Sequence, residues 1–291
     1  MMNPQEIALS LPIWRGTPRL SVLSGGITNV NFRVTDAAGD YVVRIGEDIP
    51  VHHITRAGEL AASMAAHAAG VSPPVIHHGP GVLVIGYIHG RTMTPADFQD
   101  DALRGAAVDL IARAHRTMPA HLRGGAQAFW VFHVLRDYAA RLRGEASPHA
   151  AALTPLMEQA QLLERALGPI DMVFGHNDLL AGNFIHDGTR LWLIDWDYAG
   201  WGSPLFDLGG FAANMALTPA QETAMLGQYF GTIPQGLPRR YAAMKAAAAL
   251  REALWAMISQ QHSTLDFDYA AYARACLDTY HAAYGQFEGT P

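Results

Sequence analysis

Lysine is all but missing from this sequence. Its one copy, Lys245, lies far beyond the N-terminal third, and no G-x4-G-K phosphate loop exists. Any cation that holds phosphate groups near the N-terminus must therefore be an arginine. Cysteine is as scarce: Cys276 stands alone, which excludes an internal disulfide framework and fits a reducing cytosol. It reads as a small buried hydrophobe on a helix. Charged residues make up 16% of the chain, the formal net charge is −6, and no Lys/Arg-rich run occurs, so neither nucleic acid nor an anionic membrane is an expected partner. No apolar stretch reaches the length of a transmembrane helix, so no membrane insertion is expected. The opening MMNPQEIALSLPIWRG has no basic region followed by an apolar core and does not read as a secretory signal, and a cytoplasmic location is expected. There is no internal repeat and no low-complexity linker.

Hydrophobic residues, by contrast, make up half of the 291 positions, enough for a large core and for two lobes or two modest domains. The chemistry concentrates in residues 173–211, VFGHNDLLAGNFIHDGTRLWLIDWDYAGWGSPLFDLGGF. A short apolar run at 172–174 leads into a loop broken by Gly175 and Gly182 that carries His176, Asp178 and Asn183. Two strands expected at 184–186 and 191–194 are joined by the Asp187-Gly188 turn. That hairpin folds Asp195 back towards Asp178 and Asn183. Two carboxylates and an amide oxygen then face one site, a hard-oxygen set that suits Mg²⁺ better than zinc. Any one of these residues would be an ordinary turn former. Together, as H-x-D-x4-N followed by acids after an apolar strand, they point to a site.

Towards the N-terminus, strands are expected at 20–23, 31–34 and 41–45, with turns at 24–26 and 36–40. This is an antiparallel start rather than a βαβ unit. The segment LSGGITN therefore sits in a hairpin, where Gly25 and Gly26 can close backbone N–H groups over phosphates and Ser24, Thr28 and Asn29 add side-chain donors. Arg44 ends the third strand. An alanine-rich helix is expected at 57–69, ended by Gly70, with Glu59 early in it. A strand at 82–88 precedes His89-Gly90-Arg91. Helices are then expected at 95–117, 129–143 and 155–167, with breaks at 124–125, 147–148 and 168–169. Further helices are expected from 204 to 215, carrying Asp207, and at 235–260 and 267–284. Trp130, Phe132 and Tyr138 look like one packed helix face. The fourteen histidines include the pairs His52-His53 and His77-His78, but adjacent residues on a strand face opposite ways and no H-E-x-x-H partner exists.

HNDLLAGN, LIDWDYAG and PLFDLG, in that order, resemble the choline/ethanolamine kinase family within the aminoglycoside-phosphotransferase-like kinases. The spacing is similar to the catalytic loop and metal-binding aspartate of protein kinases. The resemblance implies an α+β fold, bilobal and protein-kinase-like. It has a small antiparallel-sheet N-lobe at 1–90 and a larger, mainly helical C-lobe at 91–291. It also implies ATP and Mg²⁺ as cofactors and a small amino alcohol, of choline or ethanolamine type, as the partner substrate.

Residue by residue, the resemblance gives Asp178 the acceptor's hydroxyl proton and His176 the bracing of the loop. Asn183 and Asp195 would hold Mg²⁺, with Asp197 as the family's second acid. Ser24, Gly25, Gly26, Thr28 and Asn29 would cover the phosphates. Arg44 would hold them, oriented by an ion pair with Glu59. Tyr87 would lie in an adenine-contacting hinge at 86–88. Asp207 would hydrogen-bond the catalytic loop. In the family's tail a W-G-L-W helix walls the cation site. On this chain the second tryptophan is Trp255, while the first falls on Glu252, which could favour a protonated amine. Trp196, Tyr198 and Trp201 are either further aromatic wall or packing beneath the loop. The competing readings are a kinase of another small alcohol (thiamine, an aminoglycoside or methylthioribose) and a nucleotide-binding module without catalysis.

Overall fold

The computed structural model describes residues 3–23, 29–263 and 265–291. Ser24, Gly25, Gly26 and Thr28, expected over the phosphates, lie outside the described residues. After helix α1 (Pro4–Leu9), strands β1 (Arg19–Leu23), β2 (Val30–Thr35), β3 (Asp40–Ile45), β4 (Val75–Gly79) and β5 (Val82–Gly86) form one sheet. The order is β1-β2-β3-β5-β4 and every neighbouring pair is antiparallel. Alternation along β2 sends Phe32 and Val34 inward, where they meet Val43, Val84 and Ala8 of α1. Helix α2 (Arg56–Ala68) packs against β4 and, more extensively, against α3 (Asp101–His121) of the helical part. Thr55 caps α2 by accepting the Gly58 N–H, and Gly70 follows its end with φ of 72°.

The rest of the chain is mainly helical: β6 (Arg91–Thr92), α3 (Asp101–His121), α4 (Val131–Gly144), α5 (Leu153–Leu167), β7 (Val173–Gly175), β8 (Phe184–His186), β9 (Leu191–Leu193), β10 (Gly200–Gly202), α6 (Pro204–Asn214), α7 (Pro219–Phe230), α8 (Leu237–His262) and α9 (Tyr269–Gly289). α8 is the axis of this part. It is buried on every side for most of its 26 residues and packs against α4, α5, α6 and α9. A helix apolar all round belongs in a core, and its alanines let the neighbours approach closely. Where α6 crosses it, a Cβ on Gly209 would lie 2.8 Å from the Lys245 Cα, so only glycine fits without a shift. Lys245 itself bridges helices, its Nζ reaching Glu222 of α7 at 2.6 Å and Gln286 of α9 at 3.0 Å. The one lysine is structural.

Several expectations need correction. The helix expected at 95–117 is a 3-10 turn, Pro95–Gln99, followed after Asp100 by α3. The break comes because the Asp100 side chain caps α3 from the Leu103 N–H. α3 continues past Pro119 because a proline in the last turn removes only one helical hydrogen bond. The strand expected at 82–88 ends at Gly86. α1, β4, β6, β10 and α7 were not expected. Among the described residues no helix is long and apolar enough to cross a membrane.

Candidate active site

Asp207, at the N-terminal turn of α6, is the foundation of the site. Its Oδ2 accepts the His176 N–H at 2.7 Å and its Oδ1 the Asn177 N–H at 2.7 Å, while His115 Nε2 reaches Oδ2 at 2.8 Å. Burial opposes its charge, yet the His115 bond and these amides hold the Asp207 carboxyl below the usual carboxylate range. A buried carboxylate with partners on both oxygens fixes the backbone it binds. Asn177 takes a left-handed φ of 64°, which asparagine tolerates, and its Nδ2 donates to the Tyr198 carbonyl at 3.0 Å.

His176 has both ring nitrogens engaged inside the loop. Nε2 donates to the Ile194 carbonyl at 2.9 Å and Nδ1 accepts the Asp178 N–H at 3.2 Å. The ring packs on Trp196, centroids 4.6 Å apart, and burial lowers its pKa, so a neutral imidazole braces Asp178. Trp196 therefore lies beneath the loop, its indole N–H donating to Ser72.

The β8–β9 hairpin pairs Phe184 with Leu193, and the Ile194 N–H donates to the Asn183 carbonyl at 3.0 Å. This brings Asp195 beside Asn183. The Asn183 Nδ2 donates to the Asp178 carbonyl at 2.8 Å, which leaves its amide oxygen as a ligand. Asp195 has φ of 71°, the left-handed conformation that aspartate, like asparagine, can adopt as a single residue.

An arginine–acid network joins sheet and helices here. Arg44 on β3 forms an ion pair with Glu59 of α2, and its guanidinium lies 2.9 Å from both Asp195 Oδ1 and Asp197 Oδ1. Burial works against the Arg44 charge, but these three carboxylates raise its pKa well above the ordinary value. Arg56 Nη1 reaches Glu59 at 2.6 Å, Asp197 at 3.2 Å and the Asn29 Oδ1 at 3.2 Å, while Asn29 Nδ2 donates to Asp197 at 3.1 Å. Burial pushes the Asp197 carboxyl up, and Arg44 offsets it. Arg56 is a site residue that the sequence reading missed. Asn183, Asp195 and Asp197 supply only oxygen, as a hard divalent cation requires. The Asp195 Oδ1 is buried without an aligned hydrogen bond despite its closeness to Arg44, so it is open to a stronger partner. Among the described residues no cluster of three or more His, Cys, Asp or Glu stands ready for a metal.

Two cavities meet at this loop. The first, about 360 Å³, opens between sheet and helices and is lined by Arg44, Glu59, Tyr87, Asn183 and Asp195, with Leu23, Val42, Ile85 and Ile185 as apolar walls. Tyr87 does line it. However, the Gly86 N–H is held by the Pro74 carbonyl at 2.9 Å and the Tyr87 N–H by the Asp40 carbonyl at 3.1 Å, so these two hinge amides are not donors for a ligand. The second cavity, about 250 Å³, lies between the loop, α6, α8 and α9, lined by Asp178, Arg251, Glu252 and Tyr272 among others. Arg251, also missed from sequence, is buried. Its Nη1 lies 3.0 Å from Glu252 Oε2 and 3.5 Å from Asp178 Oδ1, and its guanidinium stacks 4.3 Å over the Tyr198 ring. Burial raises the Asp178 pKa to about 7, helped by Glu252, Asp195 and Asp197 and opposed by Arg251.

Two tryptophans expected around the substrate are elsewhere. Trp201 on β10 bonds Gln127 and Phe129 through its backbone and sets its ring on Phe174. Trp255 is buried behind Tyr198, to whose hydroxyl its indole N–H donates at 2.8 Å, and stacks on His52 at 5.3 Å. Neither lines the cavity at Asp178.

A family model described as the phosphotransferase enzyme family, APH, matches residues 19–246. Over 247 residues the chain is 29% identical to ethanolamine kinase 2 of Mus musculus, covering 76% of this chain and 63% of the mouse protein. It thus spans about three fifths of that relative's length. A solved choline/ethanolamine kinase family protein from Mesorhizobium loti superposes with a TM-score of 0.78 at 28% identity, covering 99% of this chain and 94% of the other. Choline kinase LicA from Streptococcus pneumoniae shares the fold with a TM-score of 0.74 at 22% identity, covering 93% and 95%.

Proposed function

The chain belongs to the APH phosphotransferase enzyme family, and on that premise we propose that it transfers the γ-phosphoryl group of ATP to the hydroxyl of a small amino alcohol, of choline or ethanolamine type, in the cytoplasm. Residues 1–90 would serve as the nucleotide-side lobe and 91–291 as the acceptor-side lobe. The observation that carries the reading is the position of Asp178: it lines one cavity, while Asn183, bonded to its carbonyl, lines the other. An acceptor in the smaller cavity and a nucleotide in the larger would meet at that carboxylate.

The chain's residues then divide the work. Asp178 accepts or orients the proton of the attacking hydroxyl, and a base whose pKa lies near 7 is matched to that task. Arg44 approaches the α/β-phosphates as a fixed fork of donors, held in place by Glu59. Arg56 ties Asn29, which precedes β2, to Asp197 and Glu59. Gly86, Tyr87 and Ile88 line the cavity where the adenine would lie. Asn183, Asp195 and Asp197 would hold Mg²⁺, which when bound neutralises charge on the phosphate oxygens. Catalysis in such transfers comes mostly from positioning and electrostatics, which is what this rigid loop provides.

The test is product analysis by phosphorus NMR after incubation with ATP, Mg²⁺ and, separately, ethanolamine, choline, thiamine or an aminoglycoside. A phosphomonoester of an amino alcohol supports the reading. Phosphorylation of only thiamine or the aminoglycoside moves the acceptor to another class, and ATP binding with no product overturns catalysis.

A further inference from the structure

We propose that Glu252 makes the acceptor cavity selective for a short amine that keeps at least one N–H, so that primary, secondary and tertiary amino alcohols, all protonated, react in preference to quaternary ones. This rests on the amino-alcohol reading above. A quaternary ammonium offers no hydrogen to donate and is recognised chiefly by aromatic faces. The cavity has few of these. Trp255, Trp196 and Trp201 are all turned to other partners; Phe206 and Tyr272 are the aromatic residues in the lining, and the rest of the apolar wall includes Leu179, Ala213, Ala248, Ala249 and Ala275.

What the cavity does present is a carboxylate held in a fixed orientation. Glu252 Oε1 accepts the Tyr272 O–H at 2.8 Å and Oε2 accepts Arg251 Nη1 at 3.0 Å. Each carboxylate oxygen has a second acceptor site, so an ammonium N–H can still be received. One nitrogen, Arg251 Nη1, lies near both Glu252 and Asp178, so the two carboxylates are close neighbours. A two- or three-carbon amino alcohol can therefore place its ammonium on Glu252 while its hydroxyl lies at Asp178. The Arg251 charge offsets one of the two carboxylates, leaving room for a single positive charge on the ligand.

The test is kcat/KM for ethanolamine and its mono-, di- and trimethylated forms, in the native protein and in Glu252→Gln. The native protein is expected to lose at least about tenfold on the third methyl, the size of a lost charge-assisted hydrogen bond. Glu252→Gln is expected to bring the two ends of the series within about threefold of each other. Choline turned over as well as ethanolamine by the native protein overturns the proposal, and so does an unchanged ratio in the variant. If the variant fails to fold, the native series decides alone. No product from any amine refutes the amino-alcohol reading and this proposal together, whereas turnover without N–H preference refutes only this one.

Discussion

The two cavities that meet at Asp178 are built on different plans. The larger takes its walls from strands and its polarity from a network of paired charges, in which Arg44 and Arg56 are shared among Glu59, Asp195 and Asp197. The smaller lies between the loop and helices α6, α8 and α9, with small side chains on much of its apolar wall, and Glu252, Arg251 and Tyr272 are the charged or hydroxyl groups that gather beside Asp178. A network of many partners tolerates rearrangement when a multiply charged ligand arrives. In the smaller cavity a change at Glu252 or Arg251 alters the charge beside Asp178 directly. The larger side thus suits a cosubstrate common to a whole family, and the smaller side carries what distinguishes this chain.

That contrast can be broken at its shared support. Asp207→Ala would leave the His176 and Asn177 amides and His115 without their buried acceptor, a loss of about 3–5 kcal/mol. A large fall in Tm by calorimetry, with both cavities disordered and activity gone, is the expected result. A Tm within a degree or two of the native value would mean that the loop is held by something else.

The next effect is in pH. In the proposed role Asp178 would act as base only when ionised, and its pKa is raised to about 7. kcat/KM for the acceptor should therefore rise about tenfold per unit of pH below 7 and level off above it. The same shift has a sign for stability. A carboxyl that binds its proton more tightly in the folded state loses stability as pH rises from its unfolded value towards about 7. Asp178→Asn should thus gain Tm relative to the native protein as pH goes from 4 to 7, with no further gain above. A flat difference across that range would place the carboxylate in water.

A smaller effect sharpens the acceptor side alone. Gly209→Ala would press a methyl against the Lys245 backbone and shift α8 relative to α6, costing about 1–3 kcal/mol. KM for the acceptor should rise while nucleotide affinity, measured by calorimetry, stays unchanged.

Legibility from sequence followed the distance along the chain. Asp178, Asn183 and Asp195 were readable because one short hairpin, turned at Asp187-Gly188, is all that brings them together. Arg44 and Glu59, 15 residues apart, were still within reach of a strand-then-helix reading. Arg56 was not, since its link to Asp197 spans 141 residues and depends on how α2 meets the catalytic segment. The same limit hid the fate of Trp255 and the presence of Arg251. α8 is buried on all sides, so no polar–apolar period marks which residues face the cavity. β6 and β10 escaped notice because Arg91–Thr92 and Gly200–Gly202 carry no apolar run, unlike the similarly short β8 and β9, and exist through their partners β8 and β7.

The most direct measurement separates the two cavities in Asp178→Asn: the Kd for a non-hydrolysable ATP analogue with Mg²⁺, set beside turnover of the preferred amino alcohol. Affinity within about threefold of the native protein, with turnover reduced by about 10²- to 10⁴-fold, is the expected result for a base that serves only the acceptor. Turnover retained at anything near the native rate would contradict the role of Asp178. Affinity and turnover lost together, in a variant with native Tm, would contradict the division of the site into two cavities.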